Sequence, residues 1–78
     1  MSEEKERVKV NCSVLASMLL AESMRALAKF DFVRSMAKTT LASKLLQWAQ
    51  DDSISARALD RLYLIASTGL DCEEVLDE

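Results

Sequence analysis

Arg7-Val8-Lys9-Val10-Asn11-Cys12-Ser13-Val14 alternates polar and apolar residues without a break. In an extended segment Val8, Val10, Cys12 and Val14 would line one face, with Arg7, Lys9, Asn11 and Ser13 on the other. A period of two with β-branched residues on the apolar side is the pattern of a half-buried strand. No other part of the chain repeats it. A lone strand leaves its backbone N–H and C=O groups unpaired, so it requires a partner from outside the protomer. The economical partner is the same strand of a second copy, across a two-fold axis.

Outward from this stretch the spacing becomes helical. Leu20, Met24, Leu27 and Ala28 recur at intervals of three and four, with Leu19, Ala26 and Phe30 alongside, which predicts a first helix over 15–30. Asp31-Phe32-Val33-Arg34 is weak in helical propensity and reads as a turn. Ser35 then serves as N-cap of a second helix through Gln50, with Ala37, Leu41, Leu45 and Trp48 on one stripe. A rival parse carries the first helix through Ala37 and caps the second at Thr39 or Thr40. Asp51-Asp52-Ser53 breaks the pattern and supplies caps for a third helix, whose stripe is Ala58, Leu59, Leu62, Ile65 and Ala66. Gly69 is placed as its left-handed C′ residue, and Asp71 to Glu74 reads as a capping box for one last turn to Leu76. The expected class is mostly α, with one short N-terminal strand and three helices. The divisions are a flexible start over 1–6, a dimerising core over 7–50, and an added helix with an acidic turn over 51–78.

Composition limits what such a domain can do. The chain has 78 residues, half of them apolar, with no proline and one glycine. That is one small helix-rich domain, and small domains without disulfides or metals often complete their cores by oligomerising. There is no histidine, which removes the commonest general base and metal ligand. One glycine leaves no room for a phosphate-cradling loop. The acidic residues gather toward the two ends of the chain, where they would be solvated. A binding protein is therefore expected rather than an enzyme, with no cofactor and no metal. Cys12 and Cys72 stand apart without a CxxC neighbour and read as small buried thiols, which a bridge would join only in an oxidising compartment. No apolar run follows the charged first residues, and Val14 to Ala21 is too short to span a bilayer. The reading is cytoplasmic, with no membrane partner. The net charge of −3 divides unevenly: residues 1–50 carry eight basic and five acidic residues, residues 51–78 two basic and eight acidic. A mildly basic body carries an acidic C-terminal part.

A short strand with alternate polar residues, followed by two helices, resembles the ribbon-helix-helix superfamily of the Arc and Met repressors over residues 5–50. The resemblance implies an intertwined homodimer whose antiparallel β-ribbon lies in the major groove of double-stranded DNA. It places Arg7, Lys9 and Asn11 against base edges, where Arg and Lys suit guanine and Asn suits adenine. It places Arg34, Ser35 and Lys38 at a backbone phosphate, on the N-terminus of the second helix. Val8, Val10, Cys12, Leu20, Leu27, Leu41, Leu45 and Trp48 form its expected dimer core. The function implied is a transcriptional repressor or antitoxin-like autoregulator. The alternative is an all-α bundle acting as a protein–protein interaction module, an adaptor or inhibitor with no nucleic-acid role. The acidic end, Asp71 to Glu78, is expected as a solvated tail or as a contact for a protein partner.

Overall fold

The computed structural model describes residues 2–76, with side chains over 3–68. It contains three helices: α1 (Ser2–Ala28), α2 (Phe32–Gln50) and α3 (Ala56–Leu76). There is no strand among the described residues, and residues 7–14, the expected β-ribbon, are helical and lie within α1. The reason lies in the backbone. A helix satisfies the N–H and C=O groups of residues 7–14 internally, whereas a strand here would have had no partner in the chain. The alternation survives in another form. Val8 and Cys12 remain together one helical turn apart, as do Val10 and Val14, but the two pairs now point to opposite sides. Val8 and Cys12 are buried, and Val10 and Val14 are exposed.

The α1–α2 connection comes earlier than expected. Asp31, not Ser35, caps α2, its side chain accepting a hydrogen bond from the Arg34 backbone N–H at 3.2 Å. α1 ends in a Schellman arrangement: the Asp31 N–H reaches the Ala26 carbonyl at 2.9 Å and the Phe30 N–H reaches the Leu27 carbonyl at 3.0 Å. The C′ position that glycine usually takes is held by Phe30, at φ 61°.

Asp51 ends α2 and organises the second connection. Ser53 donates to its carboxylate from the hydroxyl at 2.6 Å and from the backbone N–H at 2.9 Å. Those two bonds, with a smaller contribution from the Lys5 charge, hold the Asp51 carboxyl below the usual carboxylate range. Lys5 Nζ donates to the Asp51 and Asp52 carbonyls at 3.2 and 3.3 Å, fastening the start of α1 to the C-terminal end of α2. Ser55 caps α3 by accepting from the Ala58 N–H at 3.2 Å. α3 runs on without the expected break. Gly69 lies inside the helix and not at a left-handed C′, and no separate final turn follows it. The side chains of Asp71 to Glu78, including Cys72, lie outside the described residues.

The long axes of α1 and α2 form an antiparallel hairpin against which α3 packs, giving a body of 42 × 20 × 14 Å. Leu19, Leu45 and Leu59, one from each helix, are fully buried. Around them lie Val8, Cys12, Leu15, Ala16, Ala42, Ala49 and Ala66, with Leu41, Trp48, Ile54 and Tyr63 partly covered. Of the expected dimer core, Val8, Cys12 and Leu45 belong to the protomer's own core, and Leu41 and Trp48 pack at its margin. Val10, Leu20 and Leu27 face outward. In α3 the expected Ile65 is exposed, and Tyr63 takes its place against the core. The α2 stripe is rotated as well: its buried residues are Lys38, Ala42, Leu45 and Ala49, and Ala37 is exposed.

Candidate functional site

The residues expected to contact DNA do not assemble into one surface. At 100° per residue, Arg7 and Asn11 lie on one flank of α1, while Lys9 falls on nearly the opposite flank. Lys9 is half-buried, with Glu6 at 3.9 Å. Arg34 pairs with Asp31 at 3.5 Å. Ser35 is half-buried and its hydroxyl lies 2.9 Å from that of Ser23. Lys38 is buried, at 7% exposure, on the stripe of α2 that carries Ala42, Leu45 and Ala49.

What Ser35 joins is a hydroxyl cluster that locks α1 to α2. The Ser23 hydroxyl lies 2.8 Å from the Ser35 carbonyl, 2.9 Å from the Ser35 hydroxyl and 2.7 Å from the Thr39 hydroxyl. With its single proton on the carbonyl, Ser23 accepts from both neighbours. The cluster contains no base and no charge, so it is a structural clasp. Cys12 has a similar standing. Burial pushes its thiol up, and the negative charge of Asp60 adds to the effect, which keeps it protonated and unreactive. Among the described residues no three metal-ligating side chains converge. The open depressions at the start of α3, lined by Ser55, Arg57, Ala58 and Arg61 and by Glu4 and Lys5 alongside, enclose nothing. Among the described residues no helix is long and apolar enough to cross a membrane.

The unusual surface is the outside of α1. Val10, Val14, Ser17, Ala21, Met24 and Ala28 are all exposed and follow one another at spacings of four, three, four, three and four. That is the heptad spacing of a helix–helix seam. Met18, Leu20 and Leu27 flank it, also exposed. From Val10 to Ala21 the helix carries no charged residue. The seam lies about 180° from the face that carries Val8, Cys12, Leu15 and Leu19 into the core, by the 100° helical repeat. α1 is therefore apolar on two sides, although only one is covered.

The surface extends to the hairpin tip. Phe30, Phe32, Val33 and Met36 are exposed there, with Val33 at 80% and Phe30 at 79%. The Phe30 and Phe32 rings meet edge to face, 6.5 Å apart. A bulky side chain in the left-handed region is disfavoured by about 1–2 kcal/mol. Holding an exposed phenylalanine there gives the protomer no core packing in return. Sequence spacing had identified Leu20, Met24, Leu27 and Ala28 as a stripe, and they are one, but on the outer side of the helix. The signal that would have marked the outer seam was the second heptad series starting at Val10. No protein-family model, curated protein or solved structure matches the chain.

Proposed function

We propose that this chain is a non-catalytic helical interaction module that docks helix to helix through the outer face of α1. The observation that carries this reading is the uncharged, exposed heptad seam opposite the core. Single exposed apolar residues are ordinary on any surface. An exposed, uncharged strip from Val10 to Ala28, with an aromatic tip beyond it, is characteristic of a binding face. The two arginines at the start of α3 and the hydroxyl clasp lack the reactive groups of a catalytic site, which favours binding over chemistry. Residues 7–14, the expected β-ribbon, are helical, and Arg7, Lys9 and Asn11 share no face, so the protein-partner alternative is the better supported.

The test is the size of the native species in an extract of the cell that makes it. The chain is expected to run well above its 8.7 kDa mass there. The variant Val14→Glu/Met24→Glu, altered at two exposed positions, is expected to return it to monomer size with its helical circular dichroism unchanged. A native chain that elutes as a monomer in that extract would overturn the reading.

A further inference from the structure

We propose that the occupant of the α1 seam is a second copy of this chain, laid antiparallel with the two-fold axis passing between Ser17 and Ala21. The inference rests on the reading of the α1 outer face as the docking surface, and it names the partner. The spacing of the seam reads the same in both directions, so an antiparallel copy meets it layer for layer. Val10 faces Ala28 of the second copy, Val14 faces Met24, and Ser17 faces Ala21. Every layer thus sets a smaller side chain against a larger one or joins two small ones, which is how facing helix positions interdigitate. A parallel copy would instead set each residue against itself. The Met24 layer would then be crowded while the Ala28 layer, four residues on, held only two small side chains.

At the centre, Ser17 and Ala21 are small enough for the helix axes to approach to about 8 Å, the close end of the packing range. The flanking Met18 and Leu20 then close over the junction from both sides. The seam from Val10 to Ala28 is about 28 Å long at 1.5 Å per residue. A two-helix contact of that length removes on the order of 1,000 Å² from water in total, which meets the lower bound for a specific interface.

Sedimentation equilibrium of the purified full chain in reducing buffer, across the micromolar range, tests this. The expected mass is twice that of the chain. Ala21→Glu, which sets acids on both sides of the two-fold axis, is expected to halve it, with helicity by circular dichroism preserved. The double variant Ser17→Lys/Ala21→Glu opposes charges of different sign across the antiparallel axis and is expected to restore the doubled mass. A monomeric parent overturns the proposal, as does an Ala21→Glu protein that stays dimeric. A double variant that remains monomeric overturns the antiparallel register. A parent that is monomeric when pure yet large in the cell extract overturns self-association and leaves the interaction-module reading standing.

Discussion

Phe30 is where a single residue works against the fold that contains it. Its backbone adopts the conformation that the end of α1 requires, but its side chain is the wrong type for that conformation and faces solvent. Phe30→Gly is expected to raise stability by about 0.5–1 kcal/mol, the relief of left-handed strain less the added flexibility of the unfolded chain. Urea denaturation would measure it, and a loss of stability would show that the Phe30–Phe32 contact outweighs the strain. Cys12 behaves in the opposite way, because it suits its surroundings so well that its chemistry is suppressed. Its folded pKa is raised, so its contribution to stability is fully present below the unfolded thiol value, about 8.5, and is lost as pH rises through the folded value. In a Cys72→Ser background, thermal stability is expected to fall more steeply than in Cys12→Ala/Cys72→Ser as pH rises from the unfolded thiol value toward the folded one. Parallel pH profiles for the two proteins would remove the thiol as the cause.

Among the elements, α1 and α2 are held in register by both shape and hydrogen bonding. Ala42 and Ala49 of α2 are small and buried, which permits a close approach to α1, and the Ser23 hydroxyl then bonds across the gap. Ser23→Ala removes one buried hydroxyl and leaves the Ser35 carbonyl and the Thr39 hydroxyl without that partner. It is expected to cost about 1–3 kcal/mol in chemical denaturation, more than an exposed serine would. A cost near zero would mean that water replaces the clasp. α3 is the element with a built-in weakness, since Gly69 sits in the helix interior at an ordinary helical conformation. Gly69→Ala is expected to stabilise the protein by up to about 1 kcal/mol through helix propensity alone. An unchanged melting temperature would indicate that the helix beyond that point contributes little to the cooperative fold.

At the scale of the molecule, a domain of this size that leaves the outer face of α1 uncovered from Val10 to Ala28 has apolar surface in hand that pairing would bury. If a second copy covers it, folding and association are linked, and the melting temperature rises with protein concentration. Calorimetry over a hundredfold dilution is expected to show that dependence in the parent and not in Ala21→Glu. Several features of this architecture are written in the chain itself. The lack of proline, the single glycine and the heptad spacings specify helices, and with no histidine and one glycine the chain has no histidine-based nucleophile pair and no glycine-rich phosphate loop. The alternation from Arg7 to Val14 did not decide between strand and helix. Residues four apart stay on one side in both, so Val8 with Cys12 and Val10 with Val14 fit either. Backbone pairing settled it, because continuing α1 closes hydrogen bonds that a lone strand leaves open. Nor does the sequence rank the two apolar stripes of α1, since each has the right period and hydrophobicity. Only packing against Ala42, Leu45 and Leu59 determines that Cys12, Leu15 and Leu19 go inward, and the same choice leaves Val10, Val14 and Met24 outside.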